Sequence, residues 1–516
     1  MIVAKNNRQL VLNLKNPERV TTVIPTAEAF EYKGRTLVAV PHHTDEVRVL
    51  RNLGIDAPAP ISHYYDWPGV YKPFAHQRHM AEFMSTNPRC FNLGDMGTGK
   101  TLSVLWAYDW LRSQGEVKRA LIVSPLSTLE RTWGDEIFRH FSHLSFGVLH
   151  GTVDRRLKVL AQEHDIYIVN HDGTKGKALL NALVAREDID LIVIDEVATY
   201  RNPGTDKWKA MRRLVADRKW VWGLTGTPTP NEPTDAWGQC KLIVPERVPA
   251  FRGRFVDMVM SKVAMYKWVP RPDANDTVHR VMQPSIRYAR KDCIDLPPTT
   301  YQTYEVEMSA AQKRVYTDML NKFKAEHAGG QLVAANEAVK MNKLLQVAVG
   351  AAYDERGETV ILPAEERVRL LREIIESAGS KVIVFVPIVA AVLHVAEQLS
   401  KHYPVETVHG GTPKGDRDRI FGAFQKTADP HVLVAQPGAM SHGITLTAAN
   451  TIVWYAPIGS NETYEQANAR IVRPGQKLNT LIAHIEGSEV ERRMYARLRS
   501  RGTMQGVLLG MFEQEQ

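Results

Sequence analysis

Most of the chain alternates short, uninterrupted apolar runs with amphipathic stretches. Ala120-Leu121-Ile122-Val123-Ser124, Ile166-Tyr167-Ile168-Val169, Leu191-Ile192-Val193-Ile194 and Trp220-Val221-Trp222-Gly223-Leu224 are apolar and rich in β-branched or aromatic residues. Runs that lack polar alternation predict strands buried on both faces, hence an α/β fold with a parallel sheet covered by helices on each side. The same grammar returns in Lys381–Phe385, Val432–Val434 and Thr451–Trp454. The first stretch reads differently, with β-type runs at Leu10–Leu14 and Arg35–Val40 between Pro- and Asp-containing turns. It ends in Ala57-Pro58-Ala59-Pro60 and Trp67-Pro68-Gly69, a turn-rich pattern that predicts a linker. These shifts divide the chain into a small β-containing accessory domain (1–69), a first α/β lobe (70–244), a polar, basic linking region (245–298) and a second α/β lobe with a helical insertion and a C-terminal helix (299–516). Two sheets with a cleft between them are the expected layout.

A length of 516 residues agrees with this division, being enough for roughly three domain-sized units. Hydrophobic residues at 44% and charged residues at 24% exclude wholesale disorder. Cys90, Cys240 and Cys293 are far apart and form no CxxC pair, which excludes a disulfide framework and a zinc finger. No apolar run approaches the ~20 residues that span a bilayer, and the opening residues lack the apolar stretch and cleavage site of a secretory signal. A soluble protein of a reducing cytoplasm, with no membrane partner, is expected. Lys plus Arg total 65 against 57 for Asp plus Glu, giving +8. That balance is compatible with a polyanionic partner and equally with simple solubility.

The most specific chemistry lies in Gly94-Asp95-Met96-Gly97-Thr98-Gly99-Lys100-Thr101, which fits GxxxxGK[ST]. Glycines let backbone N–H groups converge on phosphates, Lys100 can reach the β and γ oxygens, and Thr101 can ligate Mg²⁺. A short strand at Cys90–Leu93 precedes the loop. The helix beginning at Leu102 follows it and points its N-terminal dipole at the same anion. Downstream, Asp195-Glu196 ends the apolar run Leu191–Ile194, where parallel sheets place their ligand chemistry. Asp195 is the candidate to hold Mg²⁺ through water, and Glu196 to polarise the attacking water.

With these residues on the page, the series resembles a Swi/Snf-like helicase-type ATPase of superfamily two, over about Tyr71 to Arg501. Phe74-Ala75-His76-Gln77 resembles the glutamine motif that reads adenine, and Gly94–Thr101 motif I. Ile122–Leu129 with Trp133 resembles motif Ia, Asp195–Ala198 motif II, and Leu224–Asn231 motif III. Arg290-Lys291-Asp292 followed by Leu296-Pro297-Pro298 resembles the entry into the second lobe. His409-Gly410-Gly411, with Arg417 and Phe421, resembles the region after motif IV. Ser441–Ala449 resembles motif V. Gln466, Arg470, Arg473 and Gly475-Gln476 carry the motif VI spacing QxxxRxxRxGQ.

The resemblance implies two RecA-like lobes and the cofactors ATP and Mg²⁺. It implies nucleotide contacts from Gln77, Gly94, Met96, Gly97, Thr98, Gly99, Lys100, Thr101, Leu102 and Gly443, and metal contacts from Thr101 and Asp195. Catalytic roles fall on Lys100, Glu196, Gln466, Arg470 and Arg473. The two arginines lie three apart, so on a helix they share a face, and arginine forks suit developing phosphate charge. DNA is the implied partner, with Pro125, Leu126, Ser127, Thr128, Asn170, His171 and Thr445 on one strand's backbone and little sequence specificity. The linking region adds Arg252, Arg254, Lys262, Lys267, Arg271, Arg280, Arg287, Arg290 and Lys291 among Tyr266, Trp268 and Tyr288, a mixture that suits a strand-gripping surface or a solvated insertion.

One departure stands out. Motif II ends in Ala198, which cannot hydrogen-bond to motif III or VI, so the coupling of hydrolysis to movement is open while hydrolysis is not. The expectation is an ATP-dependent DNA translocase, monomeric, acting on duplex or branched DNA in replication, recombination or repair, of bacterial or bacteriophage kind. RNA as the track stays open. So do a strand-separating helicase, an ATP-switched nucleic-acid clamp and a motor that displaces proteins.

Overall fold

The computed structural model describes all residues except 265–266, 294–295, 329–333, 354–357, 441–443 and 514–516. The chain divides into two compact units, Met1–Cys293 with Val507–Gln516, and Ile294–Gly506.

In the first unit a seven-stranded sheet runs in the order Ser285–Ile286, Arg89–Asn92, Trp220–Leu224, Ile189–Asp195, Arg119–Ser124, Ile166–Asn170, Phe146–Leu149, and every pairing is parallel. Trp220–Leu224 is buried from end to end, and Ile189–Asp195 is buried through its apolar run Leu191–Ile194, as a sheet covered on both faces requires. Two cores flank the sheet. One gathers Tyr167, Ile192, Ile194, Trp208 and Trp237; the other gathers Trp106, Trp133, Ile122, Val193 and Trp222. Parallel strands send their carboxyl ends to one edge, so the phosphate loop, the segment after Ser124, Asn170, Asp195 and the segment after Leu224 all leave the sheet there.

A four-stranded antiparallel sheet (Ile2–Ala4, Gln9–Leu12, Arg35–Pro41, Glu28–Tyr32) and the helix Thr44–Asn52 form the N-terminal part, with a small core around Leu10, Val38, Val47 and Leu50. The Pro-rich segment after it is not a free linker. Ala57, Ala59 and Ile61 are fully or almost fully buried, Trp67 packs edge-on to Trp106, and the Trp106 indole donates to Pro68 O at 2.8 Å. The prolines remove backbone donors, and the apolar residues between them supply the contact.

Much of the basic linking region also belongs to the first unit. Its strand Ser285–Ile286 pairs with the strand that feeds the phosphate loop. Arg252, Arg254, Lys262, Lys267, Arg271, Arg280, Lys291 and Trp268 are exposed, but Arg287 is buried; Tyr266 lies outside the described residues.

The second unit is a six-stranded parallel sheet ordered Thr299–Glu305, Thr480–Glu486, Ala449–Trp454, Lys381–Phe385, Val432–Ala435, Val405–Val408. Here too two cores flank the sheet, one around Val384, Val392 and Tyr455, the other around Phe385, Phe424 and Trp454. The long helix Glu489–Glu513 ends the described chain.

Candidate active site

The phosphate loop follows the strand Arg89–Asn92 and opens the helix Lys100–Ser113. Asn92 Oδ1 accepts from Gly94 N at 3.1 Å, and the Thr98 hydroxyl donates to Asp95 O at 2.8 Å, so the turn is stapled from within. Gly99 has φ +83°, a left-handed conformation, and a Cβ there would collide with Gln77 Nε2. Gln77 is thus laid directly over the loop, while its Oε1 accepts from Phe74 N at 3.0 Å. His76 bonds Thr98 O at 3.0 Å.

Lys100 Nζ donates to Gly94 O at 2.6 Å and Asp95 O at 3.0 Å. Burial holds its pKa below the ordinary lysine value, opposed by Glu196, Asp195 and Asp95. A glycine cradle, a helix N-terminus and a loop-bound ammonium facing carboxylates fit a triphosphate. Thr101 and Asp195 offer the hard oxygen donors that Mg²⁺ prefers. Met96, Thr101 and Leu102 are half-buried, Gly97 is exposed and Thr98 is fully buried.

Asp195 closes its strand, and its Oδ2 accepts from the Trp133 indole at 3.0 Å. Burial raises its pKa, against the Trp133 bond and the Lys100 charge. Glu196 sits at φ +53°, unusual for a residue with a side chain, and its Oε2 accepts from Thr225 Oγ1 at 3.3 Å. The two consecutive acids thus have different partners at the sheet edge, Trp133 for Asp195 and Thr225 for Glu196. Gly226 packs against Gly94 O and Met96 N, which brings the segment after Leu224 onto the phosphate loop. Ala198 is fully buried in the helical turn Val197–Tyr200.

The sequence gives no direct sign of what anchors the loop from outside. Asp95 Oδ1 pairs with Arg287 at 2.7 Å, Asp95 Oδ2 accepts from Arg290 N at 2.9 Å, and Asp95 N donates to Tyr288 O at 3.0 Å. Arg287 also donates to Leu93 O at 2.6 Å. Its guanidinium is therefore committed to the loop rather than to a surface.

Of the nucleic-acid candidates in this unit, Leu126 is exposed and Asn170 half-buried. Pro125 and Thr128 are buried, the Thr128 hydroxyl donating to Pro125 O at 2.9 Å. His171 is buried with its ring bonded to Tyr200 Oη at 3.1 Å. The Ser127 side chain lies outside what the structure describes.

In the second unit, Gln466 lies on the helix Asn461–Asn468. Arg470 and Arg473 do not continue that helix. It stops at Asn468, and it cannot resume through Arg473, because Pro474 disfavours helical backbone at the residue before it and Gly475 turns at φ +95°. The two guanidiniums still converge, donating to Ile444 O at 3.1 and 2.9 Å, and Arg470 Nε donates to Gln466 O at 2.8 Å. Gln476 bonds Ala449 O at 2.8 Å. These bonds tie the end of motif VI to the motif V segment, where Thr445 is exposed and Gly443 lies outside the described residues. Among the described residues no cluster of His, Cys, Asp or Glu could hold a metal by itself, and no helix is long and apolar enough to cross a membrane.

Comparison with known proteins fits this arrangement. Residues 76–351 match the family described as SNF2-related domain, and residues 366–475 match the helicase conserved C-terminal domain. Protein p41 of Acyrthosiphon pisum secondary endosymbiont phage 1 is 25% identical over 442 residues, covering 80% of this chain and 93% of that protein. The SWI/SNF-related matrix-associated actin-dependent regulator of chromatin subfamily A-like protein 1 of Xenopus tropicalis is 23% identical over 407 residues, covering 78% of this chain and 41% of its own. The solved SWI2/SNF2 ATPase core of Sulfolobus solfataricus in complex with dsDNA aligns over 87% of this chain and 96% of its own, with a TM-score of 0.42 and 21% identity. The first family match alone spans more than half of the 516 residues, and the chain belongs to the SNF2-related family of helicase-like ATPases.

Proposed function

We propose that the protein is a nucleic-acid-stimulated ATPase that translocates on duplex or branched DNA in replication, recombination or repair. The observation that carries this reading is the convergence at one sheet edge of the stapled phosphate loop, Lys100, and the Asp195-Glu196 pair. Lys100 serves the β and γ phosphates, Thr101 and Asp195 hold Mg²⁺, Glu196 orients the attacking water, and Gln77 meets the base. The metal, when bound, neutralises charge on the phosphate oxygens. Arg470 and Arg473, oriented through Ile444 O, stabilise phosphate charge, with Gln466 beside them. DNA meets the turn Pro125–Thr128, the Asn170-His171 segment and Thr445, mainly through phosphate, with no sequence code. The chain works as a monomer in a bacterial or infected host cytoplasm, and its likeness to a phage protein supports a bacteriophage source.

A second reading, an ATP-switched clamp, is favoured by Ala198, which offers no side-chain hydrogen bond from motif II. The test is ATP turnover without nucleic acid and with single-stranded, duplex and forked DNA and RNA, at low and moderate salt. Translocation on DNA predicts stimulation that is greatest with duplex or forked DNA, indifferent to sequence, and steeply weakened by salt. Lys100→Ala should remove turnover while keeping the melting temperature. Turnover indifferent to every nucleic acid would defeat the motor reading.

A further inference from the structure

The segment that leaves the strand Arg119–Ser124 makes a 3₁₀ turn at Leu126–Thr128 and then a π-helical turn at Leu129–Gly134. Such widened turns are rare and recur at functional sites. Here the turn carries Trp133, which is fully buried, and aims its only hydrogen-bonding group at Asp195 Oδ2, 3.0 Å away. A backbone carbonyl is enough to satisfy a buried indole, as Pro68 O and Gly238 O do for Trp106 and Trp208, and the Trp110 and Trp220 indoles are buried without a hydrogen-bond partner among the described residues. Trp133 instead spends its donor on the carboxylate assigned to the metal. The bond engages one of the carboxylate's two oxygens and, with a backbone hydrogen bond from Glu196, restrains its rotation. Only four residues separate Trp133 from Thr128, the last residue of the turn assigned to the DNA backbone, and the covalent path between them is helical throughout.

We infer that Trp133 is a positioning residue that transmits the placement of the Pro125–Thr128 turn to Asp195, and so couples nucleic-acid binding to the metal site. The inference rests on the proposed ATPase and DNA roles. It supplies a connection within the first unit that needs no side-chain hydrogen bond from Ala198. When DNA holds the turn, the indole is held too, and the Asp195 carboxylate is fixed for the metal. Without DNA the turn is freer and the carboxylate is less well aimed.

Trp133→Phe retains an aromatic ring in the core and removes only the N–H donor and part of the volume. The expected result is a rise of about tenfold in the Mg²⁺ concentration that half-saturates binding of a non-hydrolysable ATP analogue, the lower end of what outer-shell partners contribute. The ratio of DNA-stimulated to basal turnover should fall several-fold toward one. Thermal unfolding accompanies both measurements, because a purely structural role would lower the melting temperature and leave the Mg²⁺ requirement and the stimulation ratio where they were; that outcome overturns the inference. The unaltered protein gives an independent check. Its Trp133 Nε1–H resonance, assigned from through-bond connectivities in the unaltered protein, should move on addition of the Mg²⁺–analogue complex and again on addition of duplex DNA. A resonance that stays in place overturns the inference even if the variant fails to fold. If the unaltered protein shows no DNA stimulation, the proposed function falls and this inference falls with it. If it is stimulated and Trp133→Phe is stimulated equally, the inference alone falls.

Discussion

Each unit contains a buried arginine that meets a carboxylate at 2.7 Å, and the two pairs differ in what surrounds them. In the second unit Arg367 is 3% and Glu491 0% exposed; the arginine also donates to Tyr455 O at 2.6 Å and lies over the Tyr455 ring. Glu491 Oε2 accepts from Gly487 N and Ser488 Oγ, so the pair locks the start of the terminal helix to the helix Glu365–Ser377. In the first unit Arg287 is just as buried, at 4%, but Asp95 is 31% exposed and belongs to the phosphate loop. The same chemistry thus does two jobs. A pair closed on both sides fixes the packing of two helices, whereas a pair with one open partner holds a loop that must also meet a ligand.

The largest effect should come from the closed pair. Arg367→Met leaves Glu491 buried without its cation, and breaking such pairs typically costs ~3–5 kcal/mol. Denaturant unfolding of the second unit should report a loss of that order. Its signal can be isolated, because Trp454 is the one tryptophan in 294–506 and nine lie in 1–293. Arg367→Met combined with Glu491→Leu should recover much of the loss, since no lone charge remains. A single variant as stable as the double would show that the pair is not what holds the helix.

A second, smaller effect concerns acid. His484 is buried beside Tyr464, whose hydroxyl it meets at 2.8 Å, and beside Tyr301, Tyr495 and Arg499. Burial, reinforced by Arg499, lowers its pKa from 6.5 to about 4. The unfolded chain therefore binds a proton between these values that the folded chain refuses, so stability falls as pH falls from 6.5 and the loss is complete below 4. A shift of that size corresponds to about 3 kcal/mol. Glu486, raised by burial in the same unit, acts in the opposite sense by binding a proton more readily when folded. The difference between the protein and His484→Gln, followed at Trp454 across this range, separates the two. Parallel curves would mean that His484 is charged in the fold.

The sequence reveals these features unequally, for physical reasons. Buried parallel strands such as Ile189–Asp195 and Lys381–Phe385 read as unbroken apolar runs, and their strand assignments agree with the structure to within a residue or two. Edge strands carry no such signal. Thr299–Glu305 is polar and largely exposed, and Ser285–Ile286 is two residues long, so neither stands out. The loop, the acids and the arginine pair are legible because their spacing is local. Pro474 likewise signals that the helix cannot extend through Arg473, but the motif spacing alone suggests that it does. Contacts across long separations are not legible. Trp133 falls within a recognisable motif, yet nothing in its neighbours states that it meets Asp195, 62 positions away. Arg287 reads as one more cation in a basic stretch, although its partner lies 192 positions earlier.

The smallest expected effect tests the open pair, and with it the comparison itself. Arg287→Met keeps a long, flexible side chain in the same buried channel and removes the charge. Because Asp95 is partly exposed, water can take over its solvation, and Arg290 N remains on its other oxygen at 2.9 Å. The stability cost should therefore be about 1–2 kcal/mol, well below that of Arg367→Met. The loop, however, loses the bond to Leu93 O and the bond to Asp95 together, and both flank the backbone that meets the phosphates. Affinity for an ATP analogue should fall about tenfold, which corresponds to 1.4 kcal/mol. Asp95→Asn should produce part of the same loss, and the two substitutions together should cost less than their sum, because they remove one shared interaction. Calorimetric titration of the analogue into the four proteins measures this directly. An affinity that does not change would make Arg287–Asp95 a packing pair like Arg367–Glu491, and strictly additive losses would mean that the two residues act on the loop separately; either way, partial exposure of one partner would no longer mark a pair that serves a site.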